Sequence, residues 1–325
     1  MRYVVLLAVV IAFASSAKAQ TDSQGIETLT VRITDSASLM FLKVSPGEYK
    51  LDYPDFHVLE TEVTNCQFKQ YLEATGGEKD DTEVARIVAR RRESRVFSSA
   101  EIPYSVEDES AIWRSNTFPR GMAEHPVTIV TLHDAENFAK WIDANYSKGI
   151  VRLPTWNEWM IAAYGSDRSY PWGNTWNSEN LHSSHGQRIT FSNEDKTPKR
   201  TEPVKARPKG RTPEGVWGML DNAGEYICAG DPTNKNYFNL GSRSMGGGFT
   251  DGVTYLEDDA KKGMPRGDYW GYSHYAIQRQ CDLGFRLVIV PEDKNNSMLV
   301  HGRLFDQNNK SWMKTDDESL SAPDN

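Results

Sequence analysis

The chain has 325 residues, 38% of them hydrophobic, and a formal net charge of −8 at pH 7. A chain of this length buries about three quarters of its unfolded surface and needs no covalent staple to hold one core, while its acidity argues against nucleic acid or an anionic membrane surface as partner. Three cysteines, Cys66, Cys228 and Cys281, permit at most one internal disulfide, and no Cys/His spacing suits a zinc site.

Residues 1–19 combine Arg2, the apolar run VVLLAVVIAFA and a small-residue AKA ending at Ala19. This predicts a secretory signal peptide cleaved after Ala19, since the run is too short for a permanent span. No cysteine follows Ala19 to carry a lipid, so no membrane anchor is expected. Loss of Arg2 and Lys18 takes the net charge from −8 to −10 in the mature chain, which is expected in the periplasm or the medium. Residues 20–39 read as a polar, loosely attached lead-in with one strand over 29–33. A single domain over 40–290 follows, then a C-terminal extension over 291–325 whose acidic, apolar-poor end after Ser311 is expected to be disordered.

Within the domain, residues 78–98 hold Arg86, Arg90, Arg91, Arg92 and Arg95, with Val84, Ile87 and Val88 at helical spacing. They read as a solvated helix or insertion, with a sulfate-type anion patch as the second reading. Residues 186–214, rich in Lys, Arg, Pro and Thr, read as a long surface loop.

Several blocks are too particular for generic packing. VRLPTWNEWMIAA at 151–163 leads into YPWGN at 170–174. Around them stand PGEYKL at 46–51, HVLETEVTNCQFKQYLEATG at 57–76, HPVTIVTLHDAENFAKWI at 125–142, GVWGMLDNAGEY at 215–226, MGGGF at 245–249 and LGFRLV at 283–288. In this order they resemble the formylglycine-generating enzyme, or sulfatase-modifying factor, family. The resemblance implies one α+β, loop-rich domain related to the C-type lectin fold. It fixes a fold and not a reaction.

The family's copper-using members carry a cysteine pair, separated by four residues, after an RGGS motif. The matching positions here are Asp251 and Leu256, neither of which can replace a thiolate that holds reduced copper. Gly248 stands for the motif's Ser, Asp282 for the Asn before LGFR, and Cys281 is a lone thiol out of register. Copper is therefore not expected. Iron is disfavoured too: His182 and His185 form the one close pair, while His57, His125, His133, His274 and His301 are scattered.

The resemblance also implies structural calcium, an ion that favours several hard oxygen ligands. Its matching positions are Glu225 with the main-chain oxygens of Asp221 and Ala223, and, for an earlier site, Asn180, the Leu181 carbonyl and Asp195. Gly218 removes one side-chain ligand from the first set, and an arginine-paired carboxylate is the other reading of Glu225. Trp156, Trp159, Trp172 and Trp217 are assigned mostly to packing. Tyr255, Trp270, Tyr272 and Tyr275, with Arg266, fall in the family's substrate groove, which runs here from Gly248 and Asp251 to Asp282. An aromatic groove of this kind suits a peptide or glycan. The leading expectation is an exported, non-catalytic binding protein. The alternatives are an oxygenase or oxidase of the hercynine-oxygenase or pyoverdine-maturation type, and a retroelement-diversified binding protein.

Overall fold

Thr64, Thr131 and Thr155 each start a helix in the same way. The threonine hydroxyl accepts the backbone N–H three residues on, and Gln67, Asp134 or Glu158 at that position reaches back to the threonine N–H. This reciprocal box satisfies two otherwise orphaned donors at each helix start. The helices are α1 (Asn65–Thr75), α2 (Leu132–Ala144) and α3 (Trp156–Tyr164). A computed structural model describes residues 17–82, 112–182, 200–228, 243–248 and 281–291, except 23, 24, 36 and 167, together with the pairs 305–306 and 311–312.

Two sheets carry the helices. The larger has six strands in the order β1 (Ala17–Thr21), β2 (Glu27–Arg32), β3 (Ser38–Val44), β4 (Phe56–Leu59), β9 (Val288–Val290) and β5 (Ile150–Arg152). All its neighbours are antiparallel. The smaller sheet places β6 (Gly224–Ile227) between β7 (Arg243–Met245), antiparallel, and β8 (Leu283–Phe285), parallel. Phe68 and Leu72 of α1 and Phe138 and Ile142 of α2 join Phe285 of β8 in the main core. There Phe68 stacks on Phe138 at 5.9 Å between ring centroids, and Phe285 meets Phe138 edge-on at 5.5 Å.

Two sequence expectations change. The segment 20–39 is not a loose lead-in, because β2 and the start of β3 lie in the large sheet and bury Leu29, Val31, Ile33 and Leu39. The strand expected over 29–33 is present as β2; its polar residues alternate with the buried ones, so low average hydropathy concealed that the segment belongs to the large sheet. Residues 200–214 form no helix or strand, as expected of a loop, yet Thr201, Val204 and Thr212 are buried. The expected cleavage point falls inside β1, where Ala19 pairs with Leu29, so removal of residues 1–19 leaves Gln20 and Thr21 opposite Thr28 and Glu27. The arginine cluster at 86–95 and the tail beyond 312 lie outside the described residues.

Candidate functional site

The VRLPTWNEW block now has a physical account. Arg152 leaves β5 and forks onto the carboxylate of Glu158 at 2.7 and 2.8 Å, while the same carboxylate accepts the Thr155 N–H at 2.8 Å. Glu158 is 1% exposed, and Arg152 offsets the burial that would otherwise neutralise it. At the next residue, the buried indole of Trp159 points from α3 to β6, where its N–H donates to Glu225 Oε2 at 2.8 Å.

Glu225 is the acidic half of a buried charge centre. The Arg286 guanidinium, from the turn between β8 and β9, forks onto it through Nε, at 2.6 Å, and Nη2. Arg286 also donates to the carbonyls of Leu59 at 3.2 Å and Trp217 at 2.8 Å. It is 0% exposed and Glu225 1%, so one ion pair fastens both sheets, α3 and the 217–225 turn.

Beneath that turn lies Glu62, also 0% exposed. Its Oε1 accepts from Asn222 Nδ2 at 3.2 Å, and its Oε2 has no partner among the described residues. Burial pushes the Glu62 carboxyl well above the usual range; Arg286 opposes that shift, and the nearby Glu225 and Asp221 carboxylates add to it. Gly218, at φ +66°, packs on this carboxyl, and a Cβ there would come within 2.6 Å of Oε2. Glycine at 218 is thus required by its left-handed backbone and by Glu62 together.

A cleft opens beside the turn, lined by Asn180, His182, Glu202, Arg207, Trp217 and Asp221 among others. Arg207 forks onto Glu202 at 2.7 and 2.9 Å and holds that carboxylate below its usual range. His182 Nδ1 lies 2.9 Å from Glu202 Oε1 and its Nε2 2.6 Å from the Arg200 carbonyl, while burial pulls the imidazole pKa down. Asp221 Oδ2 accepts the His182 backbone N–H, and burial pushes the Asp221 carboxyl up to about 6.

The calcium set expected at 218–225 does not fit these residues. Both oxygens of Glu225 are taken by Arg286 and Trp159, a guanidinium stands where a dication would have to sit, and Gly218 has no room for a side-chain ligand. The arginine-paired reading of Glu225 is the one observed. Asp221 and Ala223 are buried in the turn, as are Asn180 and Leu181 across the cleft, whereas Asp195 lies outside the described residues. A cation site held at about a hundred times its dissociation constant would add about 2.7 kcal/mol of stability. Chelation with EDTA is instead expected to leave the thermal midpoint unchanged; a fall that calcium reverses would overturn this account.

For the groove, the structure brings its two ends together. Gly248 is buried, and a Cβ there would lie 2.6 Å from Asp282 Cβ and 2.8 Å from its Oδ2, so the glycine that stands for serine makes room for Asp282. Asp251, Tyr255, Leu256, Arg266, Trp270, Tyr272 and Tyr275 lie outside the described residues, as does His185. Both ring nitrogens of His182 are already engaged, which disfavours the His182–His185 pair as an iron site. Sequence reading missed Glu62 and Arg286. The one available signal was a carboxylate flanked by β-formers in ETEVT and an arginine inside the apolar run LGFRLVIV.

Among the described residues, a six-stranded and a three-stranded sheet, box-capped helices and long loops gather around a buried arginine–glutamate pair and define a loop-rich α+β domain of the kind related to C-type lectins. Residues 28–290 match the Sulfatase-modifying factor enzyme 1-like domain, and the chain belongs to that family. The formylglycine-generating enzyme of Streptomyces coelicolor is 30% identical over 195 residues, 53% of this chain and 56% of that protein. The hercynine oxygenase of Mycolicibacterium smegmatis is 26% identical over 184 residues, 55% of this chain and 38% of that protein. The structure of PvdO from Pseudomonas aeruginosa matches with a TM-score of 0.43 at 14% identity, covering 85% of this chain and 98% of that one.

Proposed function

We propose that this chain is an exported, non-catalytic binding protein whose groove between Gly246 and Asp282 takes a peptide or glycan. The observation that carries this reading is the pair Asp251 and Leu256 at the positions where copper-using relatives need thiolates. A carboxylate is a hard donor and leucine donates nothing, so reduced copper has no soft ligands there. Cys66, Cys228 and Cys281 form no disulfide with one another, and Cys281 is buried. The fit of Gly248 against Asp282 supports a groove reshaped at its base. Export rests on the leader-like residues 1–19.

The oxygenase reading draws on the likeness to hercynine oxygenase, and one experiment separates the two. Protein recovered from the exported fraction, with Gln20 at its amino terminus, is incubated with oxygen, copper or iron, and a cysteine-containing sulfatase peptide or hercynine. No oxidation is expected. A peptide and glycan array is expected to give a ligand whose affinity falls about tenfold or more in Trp270→Ala or Tyr272→Ala. Turnover of either substrate, or indifference of binding to both substitutions, overturns the proposal.

A further inference from the structure

We propose that the cleft between Asn180, Trp217 and Asp221 is a second binding site, outside the groove, that recognises the hydroxyl groups of a saccharide. The three side chains line one cleft, and each brings unspent hydrogen-bonding capacity to it. Trp217 Nε1 is buried and has no acceptor among the described residues. Asn180 is 6% exposed, and its side-chain amide makes no hydrogen bond among the described residues. Asp221, also 6% exposed, spends Oδ2 on the His182 N–H and leaves Oδ1 open. Buried polar groups are costly when unpaired, so such a set is a demand for a particular partner.

The mixture of groups selects the partner. An indole N–H only donates, a carboxylate only accepts and an amide does both. A metal cation would answer Asp221 but confront the Trp217 donor and the Arg207 guanidinium. An anion would answer Trp217 but confront Asp221 and, beneath Gly218, Glu62. A hydroxyl donates once and accepts twice, and so satisfies all three groups together. A water makes the same bonds, and a sugar hydroxyl that replaces it keeps them.

Size and surroundings agree. The cleft has room for about one oxygen-sized group and is open to solvent, so a ring outside it can insert a single hydroxyl. Leu181 and Leu220, next in sequence to Asn180 and Asp221, carry the half-buried Trp172 and Trp176. Aromatic surface beside directed polar groups suits the apolar face and hydroxyl edge of a pyranose. The rim is built in advance: Arg207 forks onto Glu202, and Asn222 Oδ1 accepts the Glu202 N–H at 2.8 Å, so little ordering is left for the ligand to bring about.

The test titrates the exported chain with maltotetraose, cellotetraose and chitotetraose, followed by calorimetry and tryptophan fluorescence. At least one is expected to bind, about tenfold more weakly in Asn180→Ala and in Trp217→Phe, which removes the indole N–H and keeps an aromatic ring, and unchanged in the groove variant Trp270→Ala. Asn180→Asp, isosteric and checked for folding by circular dichroism, replaces the alanine variant if that one does not fold. No binding of any of the three, or binding lost in Trp270→Ala and kept in the cleft variants, overturns the site. So does a calcium isotherm, with no sugar present, that disappears in Asn180→Ala. Loss of the groove's own ligand in Trp270→Ala bears on the groove and leaves this site standing.

Discussion

Arg286→Ala is expected to cost about 3–5 kcal/mol, a large share of the roughly 5–15 kcal/mol that holds an ordinary domain folded. The reason is the partner left behind. Arg286 and Glu225 are both essentially inaccessible, and the guanidinium satisfies both carboxylate oxygens as well as the carbonyls of Leu59 and Trp217. Removing it strands an ionised glutamate beside Glu62 and Asp221, with Trp159 as its remaining hydrogen-bond donor. Arg286→Lys keeps the charge but not the planar fork, and cannot reach two carbonyls and a carboxylate at once. It is expected to fall between wild type and alanine. Arg286→Met combined with Glu225→Leu removes both charges and is expected to recover much of the loss, because a buried pair is worth little net against an apolar replacement. Urea titration of the four proteins checks the order, and an alanine variant within about 1 kcal/mol of wild type would show that the pair is not the fastening it is taken to be.

This centre also shows how far the sequence could be read. The motif blocks and the strand expected over 29–33 were legible because each depends on neighbours within a few positions. The partner of Glu225 was not. An arginine-paired carboxylate could be named as one reading, but Arg286 is 61 residues away and comes close through the parallel pairing of β6 with β8. Glu62 was hidden for another reason. A carboxylate in ETEVT is ordinarily solvated, and nothing local says that Gly218, distant in sequence, vacates the space it fills. The same contact explains why the expected calcium ligand at 218 is absent, a departure that sequence comparison can register and not account for.

Asp221→Asn is expected to stabilise the protein above pH 6 and to change it little below pH 4. Burial raises the folded Asp221 carboxyl from 3.8 to about 6, so the native state binds the proton more tightly than the unfolded chain. The sign follows from linkage. Between about pH 4 and pH 6 the folded state holds more protons, stability falls as pH rises through that window, and above it the ionised group costs a constant amount. A rise from 3.8 to about 6 corresponds to a penalty on the order of 3 kcal/mol at neutral pH. Asparagine cannot ionise, and its carbonyl oxygen can still accept the His182 backbone N–H. Glu158, Glu202 and Glu214 have depressed pKa values and pull the other way, losing their stabilisation as pH falls. They are present in both proteins, so the difference between the two pH profiles isolates Asp221 so far as the substitution leaves them undisturbed. Denaturant titrations at half-unit intervals from pH 4 to pH 8 are expected to give profiles that nearly coincide at the acid end, diverge up to about pH 6 and keep a constant separation above it. Parallel profiles, or a variant less stable at pH 8, would mean that Asp221 is charged and well solvated in the folded protein, and that the cleft beside it is wetter than its geometry implies.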